Sequence, residues 1–293
     1  MNAEEALRKL VAGQSELRGL LHVLATNAQF QTQMQKEQYY HELLRLPRYT
    51  ETGRLNRFEH KVFSQNGEDG IIAEIFNRIG TTRRTFVEIG VGNGLECNTA
   101  YLLWKGWKGL WVDGDAQALA AANVEFREAI ASGSLQIVQD IVSGRNIADL
   151  LRRVGVPMEF DLLSIDIDRN TYFVWKALDQ FKPRVIVVEY NSTIPPSDEF
   201  CVTDDPDAMW NGSFYFGASL KTFEKLGNEL GYALVGCEIV GANAFFVRKD
   251  LVADHFAAPF TAENHYEPPR YFLPRQSGHP PMFGEATVRR GIR

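Results

Sequence analysis

Short apolar runs alternate with helical stretches along residues 85–248, and this alternation is the dominant pattern of the chain. Apolar runs of strand length separated by amphipathic stretches indicate a mostly parallel sheet flanked by helices. The last two runs are joined through a short segment at Gly241, which permits an antiparallel hairpin. We therefore predict an α/β fold with a seven-stranded, mostly parallel sheet whose last strand is antiparallel. The predicted strands cover residues 86–89, 109–113, 135–140, 160–168, 184–191, 232–239 and 244–248.

A different pattern marks the N-terminal segment 1–48, where apolar residues recur at heptad spacing. The segment lacks proline before Pro47, so we predict a continuous helix. A heptad stripe is typical of a helix that pairs with another helix. We favour pairing between subunits, giving a homo-oligomer, over packing on the main domain. The stripe consists of Leu7, Leu10, Leu17, Leu21, Leu24 and Ala28, with Gln14 and Gln31 interrupting it.

The rest of the chain divides by composition. We predict a linker over 49–58, a core domain over 59–250 and a C-terminal tail over 251–293. The tail is rich in Pro, His, Tyr and Arg and has no clear period. We expect it to contact the substrate site or a neighbouring subunit.

A glycine-rich turn follows the first predicted strand, in the pattern Glu88-x-Gly90-x-Gly92-x-Gly94. Glycine allows the backbone to approach a ligand closely, and the next helix aims free N–H groups at that ligand. The dinucleotide fingerprint Gly-x-Gly-x-x-Gly would place its third glycine at Leu95. The turn therefore predicts a nucleotide-like cofactor other than a dinucleotide, unless its glycines merely turn a strand into a helix.

Acids close the next strands, and in an open parallel sheet the carboxyl ends of the strands share one ligand-binding edge. Asp113, with Asp115 as the alternative, follows the second strand and suits paired ribose hydroxyls because a carboxylate accepts two hydrogen bonds in a fork. Asp140 closes the third strand. Each acid alone could simply cap a helix. Three acids in register with a glycine turn favour a cofactor site.

The fourth and fifth strands end in further oxygen ligands: Asp166, Asp168, Glu189 and Asn191. Such oxygens suit Mg²⁺ or another divalent cation, which we expect here as one reading. The other reading is that Asp166 and Glu189 bind an acceptor hydroxyl or act as a general base. Asp-x-Asp is also found in metal-dependent glycosyltransferases that bind sugar nucleotides, although the glycine turn has no place in that pattern.

The glycine turn resembles motif I of the class I S-adenosylmethionine-dependent methyltransferases, which have a Rossmann-like fold. The resemblance implies that Glu88 helps to anchor the methionine end of the cofactor and that Asp140 accepts from the adenine amino group. Acids after the fourth and fifth strands resemble those of metal-dependent O-methyltransferases. The segment Ser64-Gln65-x-Gly67-Glu68-Asp69 resembles the FkbM-like methyltransferases in particular. The likeness continues through residues 164–168, 188–191 and 241–247, and it places Gln65 and Glu68 near the methionine end, unless they only cap a helix.

Two further features complete the candidate site. The long loop 192–216 holds acids and aromatic residues, and a loop at the ligand edge is typical of a lid or a substrate wall. His265 and His279 in the tail are candidate general bases, because the ordinary pKa of histidine suits the acceptance of a hydroxyl proton. A histidine alone is more often structural or simply exposed.

The composition limits the class of protein and the cellular compartment that we expect. With 293 residues, 45% hydrophobic residues and a formal net charge of −6, the chain is long enough for one α/β core and lacks the basic character of a nucleic-acid-binding protein. No apolar run has the length of a membrane span, and the first residues do not resemble a signal peptide. Three widely spaced cysteines favour a reducing, cytoplasmic compartment.

We therefore expect an enzyme that uses S-adenosyl-L-methionine to methylate a hydroxyl of a sugar, glycan or natural-product acceptor. Positioning of the two reactants would supply most of the catalysis. The alternatives are a cofactor-binding scaffold without turnover and the metal-dependent glycosyltransferase.

Overall fold

The computed structural model describes residues 2–205, 208, 210–274 and 281–283. The chain divides into two compact units, 1–46 and 47–293. The first unit is one helix, α1, spanning Ala3–Leu44, whose N-cap Asn2 accepts a hydrogen bond from the Glu5 N–H. Among the described residues, no helix combines the length and apolarity that crossing a bilayer requires.

The second unit is an α/β domain. Its helices are α2 (Pro47–Thr50), α3 (Glu68–Ile79), α4 (Ala100–Trp104), α5 (Ala116–Glu125), α6 (Arg127–Ala131), α7 (Ile147–Arg153), α8 (Thr171–Ala177), α9 (Leu220–Leu230) and α10 (Ala262–His265). Its strands are β1 (Thr85–Ile89), β2 (Lys108–Asp113), β3 (Leu135–Gln139), β4 (Leu162–Ile165), β5 (Val185–Glu189), β6 (Tyr232–Cys237) and β7 (Asn243–Arg248). Short 3₁₀ turns cover Asn56–Phe58 and Lys249–Leu251.

The strands form one seven-stranded sheet in the order β3-β2-β1-β4-β5-β7-β6. Pairs among β1 to β5 are parallel, and β7 runs antiparallel to both β5 and β6. The predicted Rossmann-like fold with an antiparallel last strand is confirmed. The last strand lies inside the sheet, because the hairpin inserts β7 between β5 and β6.

Two apolar layers cover the sheet. On one face, residues of α3 to α6 pack against alternate strand positions such as Phe86 and Val187. On the other face, residues of α7 to α9 pack against the intervening positions such as Val87 and Ile186. The period of two along each strand therefore decides which side chains at the carboxyl edge face the helices α3 and α4.

The boundaries of the second unit differ from the predicted domains. Leu55, within the predicted linker, is 1% exposed, and the Tyr49 hydroxyl donates to the buried Glu267 carboxylate over 2.7 Å. Glu267 belongs to the predicted tail, so linker and tail pack together in one domain. Contacts between residues so far apart in the chain carry no local signal in the sequence.

Candidate active site

Two of the three glycines after β1 are required by the packing of the turn. Gly90 has φ of 85°, and a Cβ there would lie 1.6 Å from the main-chain oxygen of Asp166. Gly94 has φ of 81°, and a Cβ there would lie 2.6 Å from the ring of Trp111. Gly92 has φ of 54° and open space where a Cβ would stand. The turn therefore presses its backbone against β4 and leaves Gly92 facing a cavity.

Glu88 is buried beneath this turn, and the protein itself engages both of its carboxylate oxygens. Oε1 accepts hydrogen bonds from the Asn98 N–H (2.8 Å) and the Ser164 hydroxyl (3.2 Å). Oε2 accepts from the N–H (2.9 Å) and the hydroxyl (2.5 Å) of Thr99. Burial raises the pKa of Glu88, while the hydrogen bonds from Thr99 and Asn98 oppose that rise. Glu88 thus fixes the segment before α4, and its contact with a cofactor stays a prediction.

The acids after β2 and β3 stand beside the turn. Asp113 accepts the Gly92 N–H on Oδ2 (2.7 Å) and the Asp115 N–H on Oδ1 (2.8 Å), which ties the end of β2 to the glycine turn. Asp115 is the N-cap of α5, because its Oδ1 accepts two main-chain N–H groups of that helix. Asp140 forms an ion pair with Arg153 at 3.3 Å. Asp113 is therefore the better placed of the two ribose candidates.

Two cavities lie side by side along the carboxyl edge and meet at Gly90 and Asp166, which line both. The polar cavity has a volume of about 340 Å³. The apolar cavity has a volume of about 500 Å³. The polar cavity is lined by Gln65, Glu68, Glu88, Glu96, Asp166 and Asn243. The lining of the apolar cavity includes Val112, Ile141, Ile167 and Trp210, and also the charged residues Asp113, Asp115, Asp140, Asp166, Asp168 and Arg169.

The charge of the polar cavity limits what it can bind. Of the described residues that line it, four are acids and none is Lys, Arg or His. A pyrophosphate beside these carboxylates would meet like charge without a cation to offset it. A positively charged ligand group is favoured there instead.

Asp166 and Glu189 form a coupled pair of buried carboxyls. Ile165 and Val188 are paired residues of β4 and β5, and the two acids follow them directly. Burial, and then the charges of Asp168 and Glu88, raise the pKa of Asp166 to about 7. Burial and the neighbouring Asp166 raise the pKa of Glu189 well above its ordinary value. The two side chains hydrogen-bond to each other, and the charge of each disfavours ionisation of the other.

The predicted metal site is not supported by the donor set. The Asn191 side-chain oxygen already accepts the N–H and the hydroxyl of Thr193, so it is not free to bind a cation. Asp168 lies on the apolar side of Asp166, where it lines the apolar cavity. Within the described part of the chain, no three His, Cys, Asp or Glu side chains are placed to hold a metal ion.

His265 does not fit the predicted role of general base. The side chain is 2% exposed, and its Nδ1 lies 3.3 Å from the Arg54 guanidinium. Burial and the charge of Arg54 lower the pKa of His265 to about 3, so the ring is a weak base. His265 lines neither cavity. His279, the other candidate, lies outside the described residues.

The loop 192–216 is attached to the end of β5. The Asn191 amide donates to the main-chain oxygens of Phe214 (2.7 Å) and Phe216 (3.0 Å). The side chain of Phe214 is 66% exposed, and Trp210, at 48%, lines the apolar cavity. Asn191 thus holds the loop, and the loop places Trp210 at the apolar cavity.

Sequence reasoning missed two polar residues of the site. Ser164 lies within the apolar run of β4 and contacts both Glu88 and Asn98. Asn243 opens β7 and lines the polar cavity. A polar residue inside an otherwise apolar strand was the available signal, because burial of an amide or a hydroxyl requires a partner.

No family model matches the chain, and no curated protein matches its sequence. Solved structures with similar folds exist. An O-methyltransferase candidate from Klebsiella pneumoniae has a TM-score of 0.43 and 14% identity, over 62% of this chain and 79% of that one. An O-methyltransferase from Bacillus cereus in complex with SAH has a TM-score of 0.42 and 13% identity, over 74% of this chain and 89% of that one.

An S-adenosylmethionine-dependent methyltransferase from Clostridium acetobutylicum has a TM-score of 0.38 and 13% identity, over 60% of this chain and 88% of that one. Structural similarity at these TM-scores and sequence identities does not assign a function to this chain. The function has to be argued from the site.

Proposed function

We propose that this chain is an S-adenosylmethionine-dependent methyltransferase that acts on an acceptor hydroxyl. The observation that carries the proposal is the cleft of two unlike cavities that meet at Gly90 and Asp166. A ligand that joins a charged amino-acid end to an adenosine end fits such a cleft.

The residues present fit this cofactor. The apolar cavity offers Val112 and Ile141 to a flat adenine ring, with Asp113 and Asp140 as acceptors for ribose hydroxyls and an exocyclic amine. The acids of the polar cavity suit the amino group and the positive sulfur. A dinucleotide is disfavoured because its pyrophosphate would lie against the same acids.

When bound, S-adenosylmethionine supplies a methyl group made electrophilic by a positively charged sulfur. The protein has to orient the acceptor oxygen and take its proton. Asp166 lines both cavities and, with Glu189, forms a carboxyl pair that loses its first proton near neutral pH. We assign this pair as the acceptor for the hydroxyl proton and as the group that aims the oxygen.

The acceptor we propose is a sugar, a glycan or a hydroxylated natural product. The half-exposed side chain of Trp210 provides a flat aromatic face at the apolar cavity, and such a face suits a sugar ring. No metal ion enters the proposal, because the donor set at Asp166 and Glu189 lacks a third free ligand.

We further propose that α1 pairs with a second copy of itself. Leu17, Leu21 and Leu24 are 57%, 56% and 64% exposed, and their spacing of four and three residues forms a heptad seam. The compartment we propose is the cytoplasm, since all three cysteines are free and two of them are buried.

Transfer of radiolabelled methyl from S-adenosylmethionine to a panel of sugars, glycans and polyketides tests the activity. We expect label in a hydroxyl-bearing acceptor, unchanged by EDTA, and no transfer by Asp166→Asn with cofactor binding retained. Transfer only to amines would contradict hydroxyl specificity, and full activity of Asp166→Asn would remove the carboxyl pair from the reaction.

A further inference from the structure

Asn243 is a buried amide with one unpaired oxygen at the wall of the polar cavity. It is the first residue of β7 and the register partner of Glu189. The side chain is 4% exposed and lines the cavity. Its Oδ1 has no hydrogen-bond partner among the described residues.

The orientation of this amide is fixed by its neighbours. Nδ2 donates to Glu68 Oε1 over 2.9 Å, and the main-chain N–H donates to Glu238 Oε2 over 2.8 Å. A flipped amide would place its oxygen against the Glu68 carboxylate, where both atoms are acceptors. Oδ1 is therefore the unpaired atom, and a ligand that pairs it must bring a hydrogen-bond donor.

The charges around Asn243 specify the kind of donor. Glu68 is fully buried, and among the described residues its carboxylate accepts hydrogen bonds only from Asn66 and Asn243, neither of which is a cation. Asp166 also lines this cavity. An unpaired carbonyl oxygen beside buried carboxylates is a site for a donor that carries positive charge, which describes a primary ammonium group.

We propose that Asn243 and Glu68 bind the ammonium group at the amino-acid end of the cofactor. This inference rests on the proposed function and adds a subsite built from β7 and α3, in the cavity that the glycine turn also lines. The polar and apolar cavities have Gly90 and Asp166 in common, so a ligand that occupies both passes these two residues. A protonated Glu189, the neighbour on β5, is the rival donor to Oδ1.

Three nucleosides separate these readings in calorimetric titrations of the full chain. S-adenosylhomocysteine carries the ammonium and carboxylate groups, its decarboxylated form keeps only the ammonium group, and 5′-methylthioadenosine has neither. Asn243→Ala should weaken both ammonium-bearing ligands about tenfold or more and leave 5′-methylthioadenosine unchanged, because a hydrogen bond to a charged group is lost. Glu68→Gln, which keeps the shape of the side chain, should show the same selectivity.

Asp113→Asn is the matched control, since all three ligands carry the ribose, and it should weaken them equally. Equal weakening of all three by Asn243→Ala and Glu68→Gln would overturn the inference and leave Asn243 a structural role with Glu189. Unchanged binding of all three would overturn it as well. If the unsubstituted chain binds none of the nucleosides, the proposed function fails and the ammonium site with it.

Discussion

At the scale of single residues, the proposed chemistry depends on the carboxyl pair of Asp166 and Glu189. Because burial raises the pKa of Asp166 to about 7, its base form accumulates as pH rises through neutrality. We predict that kcat/KM rises between about pH 6 and pH 8 with one inflection. The sign is opposite for stability. A carboxyl with a raised folded-state pKa stabilises the fold at low pH, and that contribution is lost as pH rises through about 7.

The pH profile and the unfolding midpoint, measured on the same preparations, check both halves of this prediction. Asp166→Asn should abolish transfer across this pH range and flatten the loss of stability near pH 7. Asp149→Asn, a change at a side chain that is 83% exposed, serves as the control and should preserve both. An inflection that survives in Asp166→Asn would show that another group takes the proton.

The glycine turn offers a matched pair of substitutions. Gly90→Ala should prevent folding, because the new Cβ would overlap the main chain at Asp166. Gly92→Ala should fold with a loss of about 1–2 kcal/mol, because its φ of 54° is left-handed but its surroundings are open. That Cβ would enter the polar cavity, so cofactor affinity should fall.

Thermal unfolding and titration with S-adenosylhomocysteine separate the two effects. Unchanged affinity in a folded Gly92→Ala variant would contradict the placement of the cofactor over the turn. A stable Gly90→Ala variant would mean that the close approach of the turn to β4 is not required.

At the scale of elements, the sheet could be predicted from the sequence. The roles of the side chains at the carboxyl ends of its strands could be predicted only in part. Buried runs such as 162–165 and 185–189 are apolar because helices cover both faces, and that pattern is local. The role of Asn191 depends on where the loop carbonyls of Phe214 and Phe216 fall. His265 does not fit the predicted role of general base because its ring lies against Arg54, a residue far away in the chain. Such contacts have no local signature.

The helix α1 carries a prediction of its own at this scale. Leu21 and Val23 are 56% and 55% exposed, but only Leu21 lies on the heptad seam. Leu21→Glu should therefore dissociate the oligomer, while Val23→Glu should leave it intact. Sedimentation velocity measures both. If the unsubstituted chain is a monomer, or if the two variants behave alike, α1 does not pair through this heptad seam.

At the scale of the whole molecule, the charge around the cleft says more about the ligand than the net charge of the chain does. The formal net charge of −6 says little about the ligand, but the edge of the sheet concentrates acids from α3, from β1 and the turn after it, and from the end of β4 around one cavity. The sequence shows acids at or near the ends of the first five strands. Only the fold shows that no described Lys, Arg or His shares the polar cavity with them, which is why we propose a sulfonium cofactor rather than a dinucleotide.

The central claim is that this cleft binds an adenosyl amino-acid cofactor. Isothermal titration of the full chain with S-adenosylmethionine, NAD⁺ and a UDP-sugar tests it directly. We predict one-to-one binding of S-adenosylmethionine and no binding of the two pyrophosphate ligands. Binding of NAD⁺ or the UDP-sugar in its place would contradict the account.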